Sequence, residues 1–139
     1  MKETEIVIPR KLTTQLLHWA QISPDAEICG LVSSKQGQAY RCYPVKNVAA
    51  EPGRRFQLEP TAQIAALKTL RDNGEELFAI YHSHPSAPAE PSALDLDMAA
   101  YPDALYLIIS LNTKGILQMR GFYLNPPLAR EVPLALSEA

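Results

Sequence analysis

The chain has 139 residues, 47% of them apolar and 20% charged, with a net charge of −2, which suits one domain built on one core. Its longest apolar run, Ala104 to Ile109, is too short to span a bilayer, and no basic excess offers a surface to a phosphate backbone. Met1 to Glu5 leads straight into Ile6-Val7-Ile8 without the apolar stretch of an export signal, and two cysteines are too few for a disulfide framework. Reduced thiols in a cytoplasmic protein are therefore expected, with neither a membrane nor a nucleic acid as partner.

Glu3 to Ile8 reads as a strand, and Pro9 permits a helix to start after it. Lys11 to Gln21 places Leu12, Leu16 and Trp19 on one helical face, and Ser23-Pro24-Asp25 is a turn. Glu27 to Ser34 and Gln38 to Val45 read as strands joined in a hairpin at Lys35-Gln36-Gly37. Asn47 to Arg55, with Pro52-Gly53, is a loop. Pro60 opens a second helix that carries Ile64, Leu67 and Leu70 and ends at Asp72-Asn73-Gly74. Leu77 to His84 is apolar almost to its end, the pattern of a central strand covered on both faces, and Pro85 stops it. A short helix follows from Ser92 to about Ala100. Leu105 to Leu111 and Ile116 to Leu124 are strands around Asn112-Thr113-Lys114-Gly115, and a last extended piece runs from Ala129 to Leu136. With no internal repeat or linker, this order predicts an α/β (α+β-like) domain over 1–139: a single mixed sheet packed by helices.

Alternation along a strand puts His82 and His84 on one face, together with Phe78 and Ile80. Two imidazoles at a strand end could chelate one metal ion. The remaining histidine, His18, reads as an ordinary helix residue beside Trp19, so a carboxylate is the economical third ligand, with water as the fourth. Spacing leaves Glu90, Asp95 and Asp97 open for that role. Pro91-Ser92-Ala93-Leu94-Asp95 also reads as a helix start, with Ser92 as N-cap and Asp95 three residues on. Both roles are compatible, because the ten residues between His84 and Asp95 can fold the helix start back over the strand end. Spacing does not single out a general base. Glu27 is notable as a carboxylate opening an apolar strand, for which the plain reading is a solvated strand end. Cys29 and Cys42 read as small buried hydrophobes. Rival enzymes with paired histidines fit less well. Ser86-Ala87 follow Pro85 where a metallo-β-lactamase would place Asp-His, and an amidohydrolase needs a barrel of roughly 250 residues. A non-haem iron triad uses the same ligand types but needs a cosubstrate site that nothing in the sequence suggests.

Ala26-Glu27-Ile28-Cys29-Gly30-Leu31-Val32, His82-Ser83-His84-Pro85 and Pro91 to Asp95 together resemble the JAMM motif of the MPN-domain metalloproteases. That motif is an upstream glutamate, His-x-His, ten residues and an aspartate, with serine three positions before it. Asn47, Arg55-Phe56 and Ser110 also look like the small prokaryotic members, and the resemblance covers most of the chain. It implies the MPN/JAB (cytidine-deaminase-like) fold, with one Zn2+ per chain bound by His82, His84, Asp95 and a water. It further implies Glu27 as the base that holds that water and passes its proton to the leaving amine, with the Ser92 hydroxyl helping zinc at the oxyanion. Zinc lowers the pKa of bound water towards ~7 and polarises a carbonyl. The family hydrolyses isopeptide or peptide bonds after the C-terminal Gly-Gly of ubiquitin or ubiquitin-like proteins. Only a short helix and Tyr101-Pro102-Asp103 separate Asp95 from the next strand, without room for the insertion by which eukaryotic deubiquitinases hold a proximal ubiquitin. The compact form resembles prokaryotic members that act on ubiquitin-like sulfur-carrier proteins. That resemblance implies as partner the C-terminal tail of such a carrier, an extended segment able to lie along a sheet edge. Two alternatives share the resemblance. Non-catalytic MPN scaffolds usually lack the metal ligands kept here, and the DNA-associated RadC-type branch carries an N-terminal helical module for which residues 1–25 leave no space.

Overall fold

Ala79 to His84 and Leu105 to Ser110 are buried along their whole length, which requires side chains to be covered on both faces of the sheet. The computed structural model describes residues 5–99, 101, 103–111 and 118–138, the side chains of Asp97 and Met98 aside. Its elements are β1 (Ile6–Pro9), α1 (Arg10–Gln21), β2 (Cys29–Lys35), β3 (Gln38–Val45), α2 (Pro60–Asp72) and β4 (Glu76–His84). They are followed by α3 (Ala93–Met98), β5 (Leu105–Ser110), β6 (Gln118–Asn125), β7 (Leu128–Val132) and β8 (Leu134–Ser137). A six-stranded sheet runs β3-β2-β4-β5-β6-β7, mostly antiparallel, with β4 and β5 parallel. Parallel neighbours need a crossover, and α3 lies on it.

The alternation of β5 divides the core in two. Leu105, Leu107 and Ile109 join Val32, Ala79 and Tyr81 beneath Leu12, Leu16 and Ala20 of α1. Tyr106 and Ile108 join Leu31, Ile80, Phe122 and Leu124, with Ala66 and Leu67 of α2 packed against them. The helix ends follow local chemistry. Glu59 caps α2 by accepting from the Thr61 and Ala62 N–H groups, ahead of Pro60 at the first turn. The β2–β3 hairpin turns on Gln36 and Gly37, both at positive φ, in the geometry that matches strand twist.

Four features depart from the sequence-based reading. The terminal strands leave the main sheet: β1 pairs with β8 in parallel as a separate two-stranded sheet. The final extended stretch divides at Pro133, which has no N–H for a ladder, while its carbonyl accepts from Ile6 N (2.9 Å). Phe78 is the extra residue of a β-bulge, since Val32 pairs with Ala79 but Ser33 with Leu77. It therefore packs on the α1 side rather than with Ile80 and the two histidines. Ile64 is 68% exposed, because the inward stripe of α2 passes through Ala66, Leu67 and Leu70, and Ile64 lies off it. Glu27 sits just before β2 rather than in it, with its N–H donated to Pro52 O (2.7 Å). The turn assigned to Asn112–Gly115, the strand start at Ile116, and Glu3, Ala100 and Pro102 lie outside the described residues. No described helix is long and apolar enough to cross a membrane.

Gly30 faces Tyr81 across the β2–β4 pair, and a Cβ there would come within 2.5 Å of both the Tyr81 hydroxyl and the Tyr43 carbonyl. Gly30→Ala is expected to destabilise the fold by about 2–3 kcal/mol through overpacking. Urea unfolding checks this, and a variant as stable as wild type would contradict the close packing of Tyr81 on the strand.

Candidate metal centre

The site grows from the end of β4. His82 and His84 project to one face, both buried, and Ser83 between them is fully buried on the other. Ser83 grips the segment that carries Glu27: its N–H donates to Ile28 O (3.1 Å) and its Oγ accepts from Ile28 N (2.9 Å). The connection that leaves β4 is pinned at three carbonyls. His84 O accepts from Leu111 N (3.1 Å), Ala87 O from Ser110 Oγ (2.7 Å), and Pro88 O from His84 Nδ1 (2.7 Å). The last bond puts the His84 proton on Nδ1 and leaves Nε2 as the ligand atom of the neutral ring.

The connection returns at Ser92, the N-cap of α3. Asp95 N donates to Ser92 Oγ (2.9 Å) and Ser92 N donates to Asp95 Oδ2 (2.9 Å), a full capping box. The same Oδ2 lies 3.1 Å from His82 Nε2 and 3.1 Å from His84 Nε2, and the two nitrogens are 3.2 Å apart. Capping residue and metal-ligand candidate are one and the same side chain. Glu27 completes the cluster, forming with His82 and His84 a buried group, ligand atoms within 4.8 Å of one another, that could hold a metal ion.

Electrostatics separate the two carboxylates. Burial works against the charge of Asp95, yet the hydrogen bonds of His82, His84 and Ser92 outweigh it and hold the carboxyl well below the usual range. Glu27 has no such support. Burial raises its pKa from 4.5 to about 7, with His84 pulling it down and Asp95 pushing it up, and its Oε1 has no hydrogen-bond partner among the described residues. Burial lowers the pKa of His82, whereas for His84 the bonds to Asp95 and Pro88 prevail over burial and raise it.

The donor set fits zinc. Ligand atoms 2.0–2.1 Å from a tetrahedral ion stand about 3.3 Å apart, close to the spacing of the Asp95 and histidine atoms. A partnerless buried carboxylate oxygen next to that trio suits a role on a water or substrate.

The other candidates fall away. Glu90 is exposed and faces Arg120 (3.4 Å), Asp97 has a side chain outside the described residues, and His18 is exposed in the last turn of α1. Cys29 is buried, its thiol donated to Val45 O and its pKa pushed by burial to about 12, which suits an inert small side chain. The supporting residues were not legible as such. Ser83 is signalled only as a polar residue in an apolar strand. Phe56, which stacks on His82 with ring centroids 4.3 Å apart, carries no local signal of that contact.

Comparison with known proteins shows the family and the fold. Residues 9–121 match the family described as prokaryotic homologs of the JAB domain, and the chain belongs to that family. It is 37% identical to a desampylase of Haloferax volcanii over 89 residues, 63% of this chain and 64% of that protein. It is 34% identical to a probable TtuB-protein conjugate cleaving protease of Thermus thermophilus over 94% of this chain and 82% of the relative. With a CysO-cysteine peptidase of Mycobacterium tuberculosis it shares 26% identity over 96% and 92% of the two chains. A solution structure from Desulfitobacterium hafniense superposes with a TM-score of 0.85 at 31% identity, covering 96% and 94% of the two chains. A JAB1/MPN domain protein from Archaeoglobus fulgidus has the same fold, with a TM-score of 0.65 at 18% identity over 96% and 99%.

Glu27 gives the metal-free protein a signed pH dependence. With its pKa raised from 4.5 to about 7, the folded chain binds more protons than the unfolded one in that window, so stability falls as pH rises through it. Metal-free Glu27→Gln is expected to exceed metal-free wild type by about 2 kcal/mol at pH values above the window, with the gap closing below it. Unfolding curves across pH check this, and parallel curves for the two proteins would refute it.

Proposed function

We propose that the chain is a zinc-dependent peptidase or isopeptidase of the cytoplasm, cutting the bond after the C-terminal Gly-Gly of a ubiquitin-like sulfur-carrier protein. The observation that carries this reading is the meeting of Asp95 Oδ2 with two imidazole nitrogens at 3.1 Å, beside the buried carboxylate of Glu27. His82, His84 and Asp95 would hold the ion. Bound there, zinc would acidify a water and polarise the scissile carbonyl.

The protein's own groups have distinct tasks. Glu27, buried beside the ligand trio with Oε1 free of any partner among the described residues, takes a proton from the attacking water and returns it to the departing amine. Ser92 Oγ already accepts from Asp95 N, so its hydroxyl proton is directed elsewhere and can be donated to the carbonyl oxygen as negative charge develops. His84 keeps its orientation through Pro88, and Asp95 keeps its own through the helix cap. The names of the relatives, desampylase, CysO-cysteine peptidase and TtuB-protein conjugate cleaving protease, support hydrolysis of protein conjugates and guide the choice of carrier.

The test measures zinc per chain and cleavage of carrier fusions that continue past Gly-Gly. Glu27→Gln is expected to keep zinc and lose at least about 100-fold in kcat, while His84→Ala loses the metal itself. Ser92→Ala is expected to keep zinc and lose about 100-fold in kcat, with about 1 kcal/mol of helix-cap stability. Protein that binds no zinc, or a Glu27→Gln variant as active as wild type, would overturn the mechanism.

A further inference from the structure

Asn47 stands where the parts of the site join, and all of its amide's bonding directions are used. Nδ2 donates to the carbonyls of Glu27 (3.0 Å) and Arg55 (3.1 Å), while Oδ1 accepts from the N–H groups of Ala49 (3.0 Å) and Gln57 (2.9 Å). These partners settle which end is oxygen, since a flipped amide would face donors with donors and acceptors with acceptors. The Arg55 carbonyl and the Gln57 N–H belong to the peptide units on either side of Phe56. The amide therefore grips the backbone around the ring that lies on His82 at 4.3 Å and 19°.

The same loop holds Glu27 from a second side, through Glu27 N to Pro52 O (2.7 Å), and is closed by Val48 N to Gln57 O (2.9 Å). Glu27 Oε1 has no partner among the described residues, while the Glu27 backbone is bonded at both its N–H and its carbonyl. A purely local role for Asn47, capping the turn at Ala49, would need only Oδ1. The two bonds of Nδ2 reach other segments and serve no such turn.

We infer that Asn47 is a positioning residue whose amide sets Glu27 and Phe56 in one fixed relation to His82. This rests on reading Glu27 as the base. Asn47→Asp isolates the claim: it keeps an acceptor for Ala49 and Gln57 but turns a carboxylate oxygen towards the carbonyls of Glu27 and Arg55. In the zinc-loaded variant kcat is expected to fall about 10- to 100-fold with KM and zinc content unchanged, the signature of a displaced catalytic group.

Nuclear magnetic resonance supplies a readout independent of turnover. The His82 ring protons, shielded by the face of Phe56 in wild type, are expected to move downfield in Asn47→Asp as they do in Phe56→Leu, and Glu27 amide exchange to quicken. Wild-type kcat, ring shifts and exchange rates in the variant would overturn the inference, as would a loss of activity that only follows a loss of zinc. Should Asn47→Asp not fold, Asn47→Ser, whose hydroxyl can still cap Ala49 but cannot reach Glu27, is held to the same outcomes. If wild type cleaves no carrier, the peptidase reading fails, and the ring shifts and exchange rates decide Asn47 by themselves.

Discussion

A carboxylate buried beside two imidazoles needs its charge compensated by what packs against it, and Asp95 gathers these contacts at a single oxygen. Oδ2 accepts from Ser92 N and lies 3.1 Å from both histidine Nε2 atoms, so one oxygen ties the helix cap to the imidazole pair. The surrounding anchors follow from that need: the cap fixes the start of α3, Pro88 fixes the His84 ring, and Ser110 holds the returning chain at Ala87. Glu27 is the opposite case, a buried carboxylate in the same cluster with an oxygen that has no partner among the described residues. Neighbouring acids with such different surroundings are driven apart in acidity, which lets one hold charge and the other exchange a proton.

The sheet explains why the cluster forms at this strand end. β4 lies between antiparallel β2 and parallel β5, so the start of β2 and the crossover to β5 converge at its C-terminal end. Glu27 arrives with the first and Asp95 with the second. Cores on both faces hold β4 rigid, which suits a site whose ligand atoms must stay within tenths of an ångström of one another.

Much of this was legible along the chain because the signals are local. The order of strands and helices follows from apolar periodicity and from Pro60, Gly37 and Asn73-Gly74, whose effects act within a few residues. The Ser92–Asp95 cap and the His-x-His pair are equally local. The misread details all depend on distant partners. The bulge at Phe78 is set by the partner strand, the orientation of Ile64 by what α2 packs on, and the departure of β1 and β8 from the main sheet by their pairing across almost the whole chain. Ser83 and Asn47 act on residues 55 and 20 positions away, so nothing in their own neighbourhoods announces them.

By itself the sequence determined the two histidines, the cap and the short list of acids, since residue types and strand alternation suffice for these. The motif resemblance then pointed to Asp95 and Glu27 among those acids. The tertiary structure alone decided how the acids differ: Glu90 turned outward to Arg120, Asp95 Oδ2 set between the Ser92 N–H and both imidazoles, Glu27 buried with an oxygen that has no partner among the described residues. The physical reason is that acidity and ligand geometry depend on burial and on which donors arrive from distant segments, and both come into being only when the loops close.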